Sequence, residues 1–202
     1  LNRNQLINNV SNDLQEKFGL AEDQFRITGL AVLYNNMLQS LFDSQIKSLG
    51  IVFGVILLMF LVIFRSIKVA VIGLIPNILT ASSVLGLLGI LSIPLDIMTI
   101  TVAAISVGMA VDNTIHYLYR YKVEISNGLA PSDAIFKSHT TIGRAILYTA
   151  LTISIGFIIF SFSNFSPTVL FGTFTSLAIF TSLVATLILL PLLLQSFKAF
   201  DS

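Results

Sequence analysis

The sequence contains no cysteine and few charged residues, and both shortages restrict what the protein can be. Without cysteine the chain has no disulfide framework, no thiolate metal site and no cysteine nucleophile. Lys, Arg, Asp and Glu make up only 10% of the residues, whereas a soluble domain carries about 25%. Apolar side chains are abundant instead, at 55% of the chain, which favours a membrane protein.

Several functional motifs are also missing. The net charge of +1 leaves no basic patch, so we expect no nucleic-acid partner. The sequence shows no P-loop and no Ser-His-Asp arrangement. We therefore expect no ATP hydrolysis, no enzymatic activity and no cofactor.

Five long apolar segments dominate the sequence from residue 46 onward. A span needs about 20 mostly apolar residues to cross a hydrocarbon core of about 30 Å. The predicted spans are 46–64, 69–91, 95–119, 142–162 and 168–194. The expected fold class is an all-α transmembrane bundle of five helices, formed by a domain at 44–195 and followed by a cytoplasmic tail at 196–202.

Residues 1–43 differ in composition from the rest of the chain. Apolar residues recur at near-helical spacing and predict an amphipathic helix, which Gly19 ends: Leu6, Val10, Leu14 and Phe18. The imperfect alternation within 24–30 predicts a short strand. We interpret this region as the end of an external, periplasmic α+β domain that leads into the first span.

Positive charges predict the orientation of the chain in the membrane. The short loops 92–96 and 161–167 contain no Lys or Arg. The segments 65–68, 120–141 and the tail, with their edges, hold seven of the eleven Lys and Arg residues: Arg65, Lys68, Arg120, Lys122, Lys137, Arg144 and Lys198. The positive-inside rule predicts an external N-terminal segment and a cytoplasmic C-terminus, in the inner (plasma) membrane. A separate helix beginning near Pro131 is predicted along the inner surface, either as a connector or with a regulatory role.

The stretch 106–121 reads SVGMAVDNTIHYLYRY and places a carboxylate, Asp112, inside the third span. A charge there costs about 2.5–3.5 kcal/mol on insertion scales, so such residues usually face a bundle interior or a wet cavity. Burial favours the neutral form of a carboxylate, and no Lys or Arg lies deep in any span. We expect Asp112 to take up and release protons. The alternative is an interfacial acid that reaches cytoplasmic water.

Two neighbours share the predicted helix face of Asp112. Gly108 lies one turn before it and leaves room for a partner helix or a water molecule. His116 lies one turn after it and could relay protons to the cytoplasm, or could be an interfacial polar residue without a role. An Asp/His pair supplies only two metal ligands, so we expect no metal site.

Other polar residues could donate hydrogen bonds to Asp112. Asn113 is adjacent in sequence, and Thr149 and Thr152 lie in the fourth span. Most hydroxyls in spans bond carbonyls of their own helix. Thr186, near the inner end of the last span, is the hydroxyl expected at the depth of Asp112.

The segment GMAVDNTIHYLYRY (108–121) resembles the Gly-x-x-x-Asp signature of the resistance–nodulation–division (RND) transporter superfamily, and most of all its MMPL-like exporter branch. Further stretches resemble the remaining helices of that branch: FRSIKVAVIGLIPN (64–77), IPLDIMTIT (93–101), GRAILYTALTISIGF (143–157), SNFSPTVLFG (163–172) and LILLPLLL (187–194). The resemblance covers essentially all of residues 40–195.

The resemblance implies a transporter built from two similar halves, each with one helix, an external domain and five more helices. This chain would correspond to the C-terminal half, with its matching half or a second subunit as partner. Asp112 would carry protons down the gradient, and the substrate would be a hydrophobic or amphipathic molecule such as a lipid, a hopanoid- or sterol-like molecule or a drug. Two positions depart from the pattern. Asn113 stands where many relatives have Tyr, and Thr186 where relatives often have an acid.

Two other functions fit the same kind of helical core. One is a sterol-sensing-like domain that binds lipid or acts as a scaffold without transport. The other is a protein-translocation accessory resembling SecD or SecF. The signature around Asp112 favours the exporter.

Overall fold

The computed structural model describes the backbone of residues 3–21, 27, 29–93 and 97–197. Every regular element within these ranges is helical. The α-helices are α1 (Arg3–Phe18), α2 (Leu30–Phe64), α3 (Ile67–Ile90), α4 (Ile97–Ser126), α5 (Pro131–Ser138), α6 (Arg144–Ile158), α7 (Ser166–Val184) and α8 (Leu190–Ser196). Short π-helical segments join α5 to α6 (His139–Gly143) and α7 to α8 (Ala185–Leu189), and a 3₁₀ turn (Ile159–Phe162) ends α6.

The chain divides into two compact units, Leu1–Ser48 and Leu49–Ser202. The first unit contains the predicted amphipathic helix, which is confirmed as α1. Gly19 follows it with a φ of +66°, a conformation that glycine adopts without strain and that ends helices. The strand predicted at 24–30 lies mostly outside the described residues, and Leu30 already belongs to α2.

The described part of the chain contains five helices long and apolar enough to cross a membrane, which confirms the predicted number. They are Gln39–Phe64, Ile67–Ile90, Met98–Ser126, Pro131–Phe162 and Ser166–Ser196. The third continues to Ser126 rather than ending at 119, because the polar residues after Asp112 keep helical geometry.

The separate helix predicted before the fourth span is not a separate element. A helix does begin at Pro131, where a missing N–H costs nothing. It then continues without a break through the π-helical segment His139–Gly143 into α6, and Gly143 keeps helical angles (φ −59°, ψ −39°). Polar residues between two apolar stretches suggested a break, but polarity alone does not interrupt a helix.

Helices α3, α4 and α7 contact one another and form the centre of the second unit, and α6 packs against α7. Gly73 allows α3 to approach α4 and α2 closely. A Cβ atom there would lie 2.8 Å from Leu118 Cδ1 on α4 and 3.0 Å from Phe60 Cε2 on α2. Pro76, one turn further along α3, is buried, as expected for a proline-containing span packed in a bundle.

Candidate functional site: the open face of α4

Helix α4 has one buried side and one uncovered side. Its buried side meets the neighbouring helices and carries Val102, Ala103, Ser106, Val107, Ala110, Asn113, Thr114, Tyr117, Leu118 and Tyr121. Its uncovered side carries Ala104, Gly108, Asp112, His116 and Tyr119, which we call the open face of α4. These five residues are spaced by three or four positions, so they line one face of the helix.

The expectation that Asp112 packs inside the bundle is wrong for this chain. Its side chain is 71% exposed. The helical period explains why: Asp112 lies about 140° around the helix from Tyr117, five residues on, which is fully buried. Small and apolar side chains on the buried side fill the contacts with α3 and α7, and the carboxylate is left on the open face.

Asp112 and His116 do form the expected pair. The Nε2 atom of His116 lies 3.4 Å from Oδ1 of Asp112, and the imidazole is itself 59% exposed. The carboxylate accepts and a protonated imidazole donates, so a proton can be shared along one turn of α4. No cluster of three or more His, Asp or Glu residues that could hold a metal ion occurs in the described part of the chain.

Gly108 completes the open face on the external side of Asp112. A Cβ atom there would meet nothing within 4 Å. The glycine therefore does not make room for a neighbouring helix among the described residues. The free space beside it lies on the exposed surface of α4.

The remaining predicted site residues do not reach Asp112. Asn113 is buried against the bundle, on the other side of α4 from the open face. Thr149 and Thr152 lie on the exposed side of α6. Thr186 is fully buried, and its hydroxyl has no hydrogen-bond partner among the described residues.

The sequence reading missed a second histidine, His139, and its partner Tyr117. The Nδ1 atom of His139 lies 2.8 Å from the hydroxyl of Tyr117, and Nε2 lies 2.9 Å from the carbonyl oxygen of Leu187. One signal was available. Pro191 follows Leu187 by four positions and has no N–H, so an α-helix would leave that carbonyl without its usual donor.

The five apolar helices of the described residues define a multi-pass membrane protein. The chain matches the MMPL family over residues 3–200. It therefore belongs to the MMPL family, within the RND superfamily, and the expected resemblance is confirmed.

Individual relatives are distant and much longer. The chain is 28% identical over 139 residues to the putative membrane protein MJ1562 of Methanocaldococcus jannaschii, covering 69% of this chain and 36% of that protein. It is 24% identical over 212 residues to the probable transport protein MmpL11 of Mycobacterium leprae, covering 96% and 20%. It is 29% identical over 102 residues to the heme uptake protein MmpL11 of Mycobacterium tuberculosis, covering 49% and 11%. The chain thus spans about a third or less of these relatives.

Proposed function

We propose that this chain is part of a proton-driven transporter that exports a hydrophobic or amphipathic molecule across the inner membrane, with Asp112 as the proton carrier. The observation that carries this proposal is the Asp112–His116 pair, at 3.4 Å, with both side chains exposed on a face of a spanning helix that no described helix of the second unit covers. Family membership supports the transporter class, and the protein is not expected to act as an enzyme.

The open face requires a covering partner. A carboxylate directed into acyl chains costs about 2.5–3.5 kcal/mol or more, so it is unfavourable against lipid. A second set of helices, from the other half of the protein or from a second subunit, would cover Gly108 closely and enclose Asp112. The relatives are long enough to supply such a half, since this chain matches only 20% of the Mycobacterium leprae protein.

His116 is placed to pass protons between Asp112 and the cytoplasm. It lies one turn nearer the end of α4 that the positive-inside rule assigns to the cytoplasm. Among the described residues neither Asn113 nor Thr186 forms a hydrogen bond with the pair, so the proposed proton path does not include them. Thr149 and Thr152 are left out for the same reason.

The energetics require that the substrate be shielded. A proton moving through a potential of about 150 mV yields about 3.5 kcal/mol. Exposing an acyl chain to water costs about 0.8 kcal/mol per CH₂, which exceeds that yield for any long chain. An external domain, of which residues 1–43 would be the end, would provide an apolar path.

A second candidate direction is uptake. One relative carries the name heme uptake protein, and haem is a flat amphipathic molecule of the substrate class proposed here. The same proton site would serve either direction, so the two candidates differ in the path of the substrate and not in the role of Asp112.

The proposal predicts that Asp112→Asn removes proton coupling and leaves folding intact, because the amide cannot exchange a proton. The full-length protein is reconstituted into vesicles with an entrapped pH dye, and haem or a fluorescent phospholipid is the probe. Substrate-dependent proton flux should fall to the level of protein-free vesicles. The matched control is Asp133→Asn, an exposed acid in the first turn of α5, which should keep its flux.

Two outcomes would contradict the proposal. Persisting flux in Asp112→Asn would show that another group carries the proton. Binding of a probe without any proton flux in the unmodified protein would favour the sterol-sensing-like scaffold instead. A movement of probe in the same direction as the protons would favour uptake over export.

A further inference from the structure

The two π-helical segments in the described part of the chain contact each other through the side chain of His139. His139 opens the segment His139–Gly143, and its Nε2 atom lies 2.9 Å from the carbonyl oxygen of Leu187 in the segment Ala185–Leu189. The Leu187 side chain also lies beside Gly143, since a Cβ atom added there would be 3.5 Å from Leu187 Cδ2. Isolated π-helical turns carry one extra residue and often mark functional positions.

The ring nitrogens of His139 lie within hydrogen-bond distance of three groups: the hydroxyl of Tyr117 and the carbonyl oxygens of Ile135 and Leu187. A carbonyl only accepts, so Nε2 carries the hydrogen that is donated to Leu187. Nδ1 lies 2.8 Å from the hydroxyl of Tyr117, which can donate or accept, and 3.1 Å from the carbonyl oxygen of Ile135, which only accepts. The bridge thus runs from Tyr117 through the imidazole of His139 to the last span, and it supplies a donor to a carbonyl that Pro191 cannot serve.

Tyr117 connects this bridge to the proton site. It lies on α4 five residues after Asp112 and immediately after His116, but on the buried side of the helix. Its ring meets the His139 imidazole edge-on, with ring centres 5.4 Å apart. A displacement of α4 at the depth of Asp112 would therefore act on His139 directly.

We propose that His139 is a positioning residue that couples α4 to the last membrane span. When α4 moves on protonation of Asp112, the Tyr117–His139–Leu187 bridge carries the movement to the segment Ala185–Leu189, where the extra backbone residue allows the helix to adjust. This inference rests on the proposed function of Asp112. It adds a connection from the buried side of α4 to the last span, which is separate from the Asp112–His116 pair on the open face.

The test uses substitutions that separate hydrogen bonding from protonation. Gln at position 139 has both a donor and an acceptor but does not ionise, whereas Phe keeps a ring of similar size and has neither. Tyr117→Phe removes only the hydroxyl, so it tests the bridge even if His139→Phe fails to fold. Retention of the monodisperse, folded state is checked for each variant before comparison.

Movement is measured directly with spin labels, which is practical because the chain has no native cysteine. In a protein with no other cysteine, labels are placed in pairs at the exposed positions Val71 and Ser126, to report α3–α4, and at Val71 and Ser196, to report α3–α8. Asp112→Asn mimics the protonated state. We expect it to shift both distances, by about 1–2 Å, the usual scale of helix displacements.

The bridge predicts a specific pattern when it is broken. With His139→Phe or Tyr117→Phe, Asp112→Asn should still shift the α3–α4 distance but no longer the α3–α8 distance, and His139→Gln should restore both shifts. Substrate-dependent proton flux should fall about tenfold in the Phe variants, within the range of known coupling energies, and be retained in His139→Gln.

Three results would overturn the inference. An α3–α8 shift that persists in the Phe variants would mean that another contact transmits the movement. If Asp112→Asn shifted only the α3–α4 distance while His139 and Tyr117 were intact, the proton role of Asp112 would stand but the coupling to the last span would not. Loss of flux in His139→Gln with both shifts preserved would make His139 itself a proton carrier.

Discussion

Asp112 and His116 illustrate what a residue spacing does and does not determine. Their separation of four positions places them on one face of any helix, and the structure has them 3.4 Å apart. Whether that face is buried depends on which helices pack against α4. Here the packed side is the one with Tyr117 and Ala110, so the pair is left uncovered by this chain.

Thr186 is a buried polar residue whose hydroxyl lacks a hydrogen bond among the described residues, which is expected to lower the stability of the fold. Its hydroxyl is fully buried without a partner in the described structure. The hydroxyl of Thr80, which is equally buried, donates to the carbonyl of Pro76 over 2.9 Å. The two threonines therefore form a matched pair for measuring the effect of that partner.

We expect Thr186→Val to preserve or raise the free energy of unfolding, by up to about 1–3 kcal/mol, because it removes an unpaired buried hydroxyl. Thr80→Val should lower it by about 0.5–1.5 kcal/mol through loss of a hydrogen bond. Denaturant unfolding in detergent measures both. A larger loss for Thr186→Val than for Thr80→Val would mean that the Thr186 hydroxyl has a partner in the working protein.

At the scale of elements, prolines are accommodated inside spans without breaking them. Pro76 lies within α3, and the side-chain amide of Asn77 donates to the carbonyl of Gly73 over 2.7 Å. Pro191 lies in the first turn of α8, directly after a π-helical segment, and His139 donates to the carbonyl four residues before it. The side chain of His139 serves the carbonyl that Pro191 leaves without a donor, whereas Asn77 serves the carbonyl one residue after the one that Pro76 leaves without a donor.

The contact between α6 and α7 depends on a single glycine. A Cβ atom at Gly172 would lie 2.5 Å from the carbonyl oxygen of Phe157 and 2.6 Å from Phe160 Cβ. Backbone atoms cannot move aside as a flexible side chain can, so the helices would have to separate.

We therefore expect Gly172→Ala to lower the free energy of unfolding by about 1–3 kcal/mol, as other overpacked substitutions do. Gly156→Ala on α6 is the control, because nothing lies within 4 Å of the added Cβ. That control should be neutral, or stabilising by up to about 1 kcal/mol through helix propensity. Thermal unfolding midpoints compare the two, and equal midpoints would rule out the tight α6–α7 contact.

At the scale of the whole molecule, the open face of α4 is exposed and has the composition of a helix-packing surface. It combines small residues that permit close approach, Ala104 and Gly108, with an ionisable pair that is unfavourable against lipid. The chain matches 36% or less of the lengths of the relatives compared above, and we propose that the helices covering this face come from another part of the full protein or from a second subunit.

A photo-cross-linker at Tyr119, on the open face and 60% exposed, should form a product with a protein helix in the full-length protein. Gly108→Leu should reduce its yield, because the larger side chain keeps the partner away. Gly86→Leu on α3, also at an exposed glycine with open space around it, should leave the yield unchanged. Products formed with lipid alone would contradict the covered-face proposal.

Mass spectrometry of the same product identifies the partner. A cross-link within one polypeptide indicates the matching half, and a cross-link between polypeptides indicates a second subunit. Either product supports the covered face.

The sequence alone determined the number of spans, the helix in residues 3–18 and the shared face of Gly108, Asp112 and His116. These features follow from hydrophobic length and helical period, which depend only on neighbours along the chain. The positive charges still predict the orientation in the membrane.

Only the tertiary structure decided which face of α4 is buried, that α5 continues into α6, and that His139 meets Tyr117 and Leu187. These three residues lie on three different helices, and Leu187 follows His139 by 48 positions. Contacts of that kind depend on how distant helices pack, which no local pattern encodes. The missing N–H of Pro191 was visible in the sequence, but the side chain that compensates for it was not.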